Sequence, residues 1–379
     1  MLHRFGVPAV FLLCGAAVPQ SAADLVGHWP MDAVAANATP SAVGGNALTL
    51  VNGAQAGPGN FGAGITLDGT DDHLRTPSTA ALNFAAGSFT VLLFARPHGT
   101  ANARLVNKWD GPAQQGWIMD VHTGAGGAAS AGSLRFRIDS NNTANNATDN
   151  LDVVVAAGIG SNAWVHLAAV VDRSVPEVRL YVNGAQVGAG TAIPAGLGSV
   201  SNAFELGVGV IPSATGANHF DGDVDDLRLY NRALTLAEIQ TVRNGIAGPG
   251  QPSASPGPLQ ITVSWPSLAG AAGYTVWFST SGTGGPFSQA GSTSGTSFTH
   301  SGLDPSLTYT YYVTAETTLG GSQPSPTVSS LPGLPPPRTN DHEEGLLEDR
   351  CACGSTIPAV PWLPALLAAL ALGLGRRRA

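Results

Sequence analysis

Apolar and polar residues alternate with a period of two over most of residues 24–248, the spacing of strands that bury one face. Val178, Leu180 and Val182 alternate with Arg179, Tyr181 and Asn183. Asn183-Gly184 then supplies a turn with positive φ before Gln186-Val187 returns, which predicts a hairpin. Trp164 to Asp172 reads as the strand before it, and further strands are predicted over Phe89 to Ala95, Leu134 to Ile138 and Asp223 to Tyr230. Helix is confined to Leu236 to Arg243, with Thr235 as its N-cap and Glu238 at the third helical position of a capping box. Beyond Gly248 to Gly257, where Pro249, Pro252 and Pro256 mark a linker, the alternation resumes. Ile261, Val263 and Trp265 form one run, Tyr274, Val276 and Phe278 another, and Tyr309, Val313 and Ala315 a third. Many short strands joined by polar, Gly-rich turns predict an all-β chain of antiparallel sandwich or jelly-roll type.

Composition agrees: 49 glycines, 27 prolines and only 11% charged residues suit strands and turns, and 379 residues suit two or three domains. No cysteine lies between Cys14 and Cys351, so neither sandwich can be stapled by a disulfide and each must bury a sufficient core. The net charge of −8, with Lys108 as the single lysine, argues against nucleic acid or anionic lipid as a partner.

The two ends set the expected compartment. A basic start at Met1 to Arg4, an apolar run from Phe5 to Val18 and Ser21-Ala22-Ala23 read as a secretory signal cut after Ala23. Cys14 would leave with it, because Leu13 stands where a lipobox needs a small residue. Pro358 to Gly375 is an apolar stretch of roughly 18 residues, the length of a minimal membrane span. Arg376-Arg377-Arg378 behind it places the bulk of the chain outside the cell. Before it stand Cys351-Ala352-Cys353-Gly354; with no second cysteine pair, and His342 the one nearby imidazole, a zinc site has too few ligands. This order of a Cys motif, an apolar helix and an Arg cluster resembles the myxobacterial C-terminal sorting signal. That resemblance implies cleavage near Cys351 and Cys353 and retention at the cell surface.

The larger module carries Leu25-Val26-Gly27-His28-Trp29, Leu67-Asp68-Gly69-Thr70-Asp71-Asp72-His73-Leu74, Trp164-Val165-His166-Leu167-Ala168 and Phe220-Asp221-Gly222-Asp223-Val224-Asp225-Asp226-Leu227. In this order they resemble a laminin G-like jelly roll of the concanavalin A-like lectin class, which implies two sheets face to face with the first and last strands adjacent. Trp265, Leu303-Asp304-Pro305 and Tyr309 resemble a fibronectin type III domain, with Trp265 in its core and Tyr309 at a tyrosine corner. The expected organisation is a signal over 1–23, a jelly roll over 24–248, a linker over 249–254 and a fibronectin type III module over 255–332. A Pro-rich, acidic stalk over 333–350 and the Cys motif, transmembrane helix and Arg cluster over 351–379 complete it.

Glycan hydrolases of this architecture place paired carboxylates along one strand as Glu-x-Asp-x-x-Glu, and no such run occurs here. The larger module has Glu177, Glu205 and Glu238 as its only glutamates, and neither a Gly-x-Ser-x-Gly nor a His-Glu-x-x-His motif. The expectation is binding without catalysis. Asp72 and Asp225 share the parity of core leucines, so two readings stay open. An inward carboxylate is costly unless neutralised, which suits a structural calcium ion, as the resemblance implies. The same groups could instead accept turn N–H bonds or pair with Arg75 and Arg228. For ligand contact, Trp109 beside a Gly/Pro/Gln loop could stack on a sugar ring, whereas Trp29, Trp117 and Trp164 read as core. Asn141 and Asn142 offer amides to sugar hydroxyls, or form a solvated turn. Three functions remain open at this point: carbohydrate binding by the jelly roll, protein–protein adhesion by the same domain, and a structural surface component.

Overall fold

This computed structural model describes residues 24–334 apart from 45, 100–101, 110–114, 123–131, 141–147 and 212–217. The signal, the stalk beyond Leu334, Cys351, Cys353, the apolar run and the Asn141-Asn142 pair lie outside the described residues. Among those described, no helix is long and apolar enough to cross a membrane.

The period-two pattern resolves into two antiparallel sheets packed face to face, a jelly-roll sandwich. The first runs in the order Ala185–Ala192, Glu177–Val182, Val165–Asp172, Phe89–Pro97, Asp221–Tyr230, Ala63–Asp68 and Gln55–Pro58. Leu25–Trp29 pairs with the second half of Asp221–Tyr230, so the first and last strands are neighbours, as expected. The second sheet runs Asn150–Ala156, Ser133–Asp139, Gly116–His122, Asn102–Trp109, Leu206–Val208, His73–Thr76, Leu48–Val51 and Ala38–Thr39. Between them lies one core that includes Trp29, Leu67, Phe89, Trp117, Phe136 and Leu229. The Asn183-Gly184 turn has φ of 51° and 73°, both in the left-handed region the hairpin requires. Helix Leu236–Arg243 forms with both halves of the Thr235/Glu238 capping box in place.

The outer face of the first sheet is also covered. Leu92, Val170, Tyr181 and Tyr230 pack beneath Ile239 and Val242 of the helix. One position on this face corrects the sequence reading. The pairing of strand 221–230 with strand 89–97 shifts between Asp225 and Arg228, and Asp226 takes φ 49°. This bulge lets Val224 and Leu227 both enter the core while Asp225, opposite Phe94, turns to the outer face. Strict alternation would have put Asp225 inside, with Leu227 and Leu229. Trp164 is a second correction: it is half-exposed, with the Arg96 guanidinium 5.4 Å from its ring centroid.

Residues 253–330 build a smaller two-sheet sandwich. One sheet is Ser253–Gly257, Gln260–Ser264 and Ser297–Ser301. The other is Ser288–Thr293, Ala271–Ser279, Tyr309–Thr317 and Gly320–Gly321, with Val328–Ser330 also pairing with Tyr309–Thr317. Trp265, Tyr274, Val276, Tyr311 and Val313 form its core, and the Tyr309 hydroxyl accepts the N–H of Asp304 at 3.0 Å. The segment read as a free linker is pinned. Gln323 donates its N–H to the carbonyl of Ile246, Gln251 donates to the carbonyl of Thr327, and the strand from Ser253 belongs to the sandwich.

The two sandwiches therefore form one compact unit. Leu319, in the turn before Gly320–Gly321, packs on the covered outer face. Its carbonyl accepts from Arg228 Nη1 at 2.6 Å and from the Tyr230 hydroxyl at 2.7 Å. Arg228 is buried and reaches Asp226 at 3.0 Å, and His28 Nε2 meets the same carboxylate at 2.7 Å. Arg228 chiefly, with His28, holds the Asp226 carboxyl down at about 2 against the effect of burial.

Candidate functional site

Chain order brings three strand ends together at one end of the jelly roll. Strand 63–68 stops at Asp68, strand 221–230 starts at Asp221, and these two residues are direct cross-strand partners. Strand 89–97 ends at Pro97 opposite Gly222, and the next N–H, of His98, bonds to the Asp221 carbonyl at 2.9 Å. The turn after Asp68 closes on its own side chain, which accepts from the N–H groups of Thr70 at 2.8 Å and Asp71 at 3.4 Å. Gly69 sits there with φ 73°, and a Cβ on it would lie 2.6 Å from that of Asp221, so no larger residue fits.

Between these ends opens a cleft of about 170 Å³. The buried Phe220, Ala103 and Val121 form its floor, and Asp68, His219 and Asp221 stand on its rim. Behind the rim, buried Asp223 is fully engaged. Its carboxylate takes Arg96 at 2.7 Å and His98 Nε2 at 2.7 Å on one oxygen and the Thr66 hydroxyl at 2.6 Å on the other. Asp221 lines the cleft, with His98 Nδ1 3.7 Å from its carboxylate. Among the described residues no arginine or lysine pairs with Asp68, Asp71 or Asp221. Backbone N–H bonds hold the Asp68 carboxyl below its ordinary range, so it is an acceptor and not an acid. The rim is thus a set of hydrogen-bond acceptors above an apolar floor.

The positions singled out in the sequence fall elsewhere. Trp109 is buried, packed with Ile118 and Ile211, and the Arg137 guanidinium lies 5.1 Å from its ring centroid. Its ring is thus covered and not free to stack on a ligand, which corrects the expectation. Asp72 accepts the N–H of Gly53 at 2.6 Å and of Asp68 at 3.2 Å, and with Asp68 and Asp71 forms a trio of carboxylates whose oxygens lie within 4.8 Å of one another. Asp225 is not among them: it accepts from the N–H groups of Asn60 at 2.8 Å and Phe61 at 2.9 Å. Burial pushes its carboxyl up to about 7, so near neutral pH about half of it is protonated, which makes it a weak cation ligand. Asp72 and Asp225 thus serve separate turns. The fit for a hard cation is with the trio, since Asp71 and the second oxygen of Asp68 remain free to coordinate.

In the sequence Asp68 and Asp221 are overshadowed by the doubled aspartates Asp71-Asp72 and Asp225-Asp226 nearby. The available signal was the repeated Asp-Gly step, Asp68-Gly69 and Asp221-Gly222, at the edges of two paired strands. Lys108 is buried too, donating to the backbone and side-chain oxygens of Asn202 at 2.7 and 2.9 Å, and burial lowers its amine to about 8.

Residues 68–240 match the family model of the concanavalin A-like lectin/glucanases superfamily, the stretch that contains both rim aspartates. Three solved structures are similar in fold. The binding domain of Paraclostridial Mosquitocidal Protein 1 shares 17% identity over 64% of each chain at a TM-score of 0.46, just under two thirds of that domain. Domain 4 of AbnA, a GH43 extracellular arabinanase from Geobacillus stearothermophilus, shares 19% identity over 58% of this chain and 98% of that one, at 0.41. The SAP-like pentraxin from Limulus polyphemus shares 18% over 48% and 82%, at 0.37. No curated protein sequence matches the chain.

Proposed function

We propose that the chain is a non-catalytic, exported binding protein whose jelly roll holds one neutral sugar unit of an extracellular glycan in the Asp68–Asp221 cleft. The observation that carries this reading is the cross-strand pair of carboxylates, with no arginine or lysine on either among the described residues, on the rim of a cleft lined by apolar residues. Sugars present hydroxyl donors, which match the acceptors on this rim. The cleft is smaller than the roughly 300 Å³ at which drug-sized sites begin, so a terminal unit suits it better than an extended chain. Against turnover stands the placing of acids: the one carboxyl pushed up to about 7 is Asp225. It lies four residues along the strand from Asp221, about 13 Å at about 3.3 Å per residue, and under the Asn60-Phe61 turn. The fibronectin type III-like sandwich then acts as a spacer, and the apolar run 358–375 as a tether at the cell surface.

A glycan array followed by calorimetry with the best hit tests the cleft. Asp221→Asn is expected to weaken binding at least tenfold without shifting the melting temperature by more than a few degrees. Equal affinity in the variant, steady hydrolysis of any array sugar, or capture of a surface protein with no sugar dependence would each defeat the reading.

We further propose calcium at Asp68, Asp71 and Asp72, supported by the crowding of their oxygens. Millimolar calcium should raise the melting temperature of the native chain by several degrees, since a ligand bound only to the folded state stabilises it by mass action, and Asp71→Asn should cancel the rise. An identical melting curve in calcium and in chelator would count against the ion.

A further inference from the structure

The smaller sandwich carries a second feature that its role as a spacer leaves unexplained. On strands 271–279 and 309–317 the core takes Tyr274, Val276, Tyr311 and Val313, so Trp277 and Tyr312 point to the opposite, outer face. They are cross-strand partners, with ring centroids 6.0 Å apart and planes 22° from parallel. Phe287 closes on Tyr312 at 4.7 Å. All three are half-exposed and none belongs to a core cluster. The indole is held in place, because Trp277 Nε1 donates to the Thr314 hydroxyl at 3.1 Å. Outer sheet faces of sandwiches are ordinarily polar, so three adjacent aromatics here are a patch and not a scatter.

We propose that Trp277, Tyr312 and Phe287 form a stacking platform for the rings of a neutral polysaccharide, a binding site separate from the jelly-roll cleft. The chemistry around the platform selects that occupant. Asp304 and Glu316 are the only charged residues between 251 and 334; Glu316 shares the outer face with Tyr312, two residues beyond Thr314, and Asp304 lies in a turn. Asp304 sits in the turn before Ser306, and Glu316 pairs in register with Gly321 at the end nearest Arg228. Bases also stack on aromatic rings, but a nucleic acid needs cations along its backbone and this sandwich has no lysine or arginine. A cationic ligand would find one acid on this face, Glu316, and Arg228 already acts on that carboxylate. A protein partner needs about 800 Å² per side, while three partly exposed aromatics of about 150–250 Å² each offer roughly 200 Å² at most. A sugar ring needs an aromatic face for its C–H groups and neutral polar groups at its edge. The edge here is Thr275 bonded to Ser292, with Gln289 opposite Trp277 and Thr314 under the indole.

The test is depletion of the full chain from solution by cellulose, chitin and mannan, with Trp277→Ala, Trp277→Phe, Tyr312→Ala and Asp221→Asn in parallel. Trp277→Ala is expected to cut retention on at least one polysaccharide at least tenfold and Tyr312→Ala severalfold. Trp277→Phe should retain most of the binding, and any loss from Asp221→Asn should add independently to the loss from Trp277→Ala, which separates this site from the first. Melting temperatures within a few degrees of the native value confirm that the variants are folded. The proposal fails if no polysaccharide of the three retains the native chain, or if retention survives loss of both rings. It also fails if Trp277→Ala converts a sedimenting dimer to a monomer, since the platform would then be an interface between two copies.

Discussion

Replacing Arg228 by alanine is expected to destabilise the folded chain by about 3–5 kcal/mol, the range for breaking a buried ion pair by removing one partner. The guanidinium is buried and serves both sandwiches at once, bonded to Asp226 on its own strand and to the Leu319 carbonyl of the smaller one. Its loss leaves the Asp226 carboxylate buried with only His28 beside it, and burial holds that imidazole toward its neutral form. Calorimetry on the native chain should show one cooperative transition for residues 24–334. The Arg228→Ala variant should split it into two, because the smaller sandwich loses one of the two bonds to Leu319. A single unsplit transition less than 1 kcal/mol below the native value would refute this account.

Asp225 gives the second large effect, with a defined sign. Burial is the main cause that lifts its carboxyl from 3.8 to about 7, with Asp226 and Asp32 adding repulsion. Between these two values the folded chain keeps a proton that the unfolded chain has released. Unfolding therefore releases a proton, and stability falls as pH rises from about 4 to about 7, by up to about 4 kcal/mol in total. Below pH 4 both states are protonated and the cost is absent; above pH 7 it is fully present. Asp225→Asn should flatten this slope and make the chain about 2–3 kcal/mol more stable at pH 8, because the amide oxygen can still accept from Asn60 and Phe61. Urea unfolding at pH 5 and pH 8 measures it. A native chain equally stable at both values, or a variant weaker at pH 8, would contradict the mechanism.

These two groups show how far the sequence could be read. Period-two alternation located the strands around Phe89, Leu134, Trp164 and Val178, and Thr235 with Glu238 located the helix, because each signal is local. The orientation of Asp225 was not legible. A one-residue bulge at Asp226 reverses the facing of the positions before it, Val224 and Asp225 included, without disturbing the leucines that follow. The tryptophans failed for a related reason: ring exposure is set by guanidiniums from other strands, Arg137 over Trp109 and Arg96 over Trp164. The cleft was half legible, since its aspartates sit in quoted motifs, but their partnership depends on a register joining residues 68 and 221. The segment after Gly248 had the composition of a free connection, and only its bonds to Gln323 and Thr327 make it fixed.

The shared Leu319 carbonyl has a mechanical consequence. A pull on the chain beyond residue 334 does not stretch a slack joint between two beads. It loads Arg228 and Tyr230 together against one peptide group, so the two sandwiches move as one body until that clasp gives way.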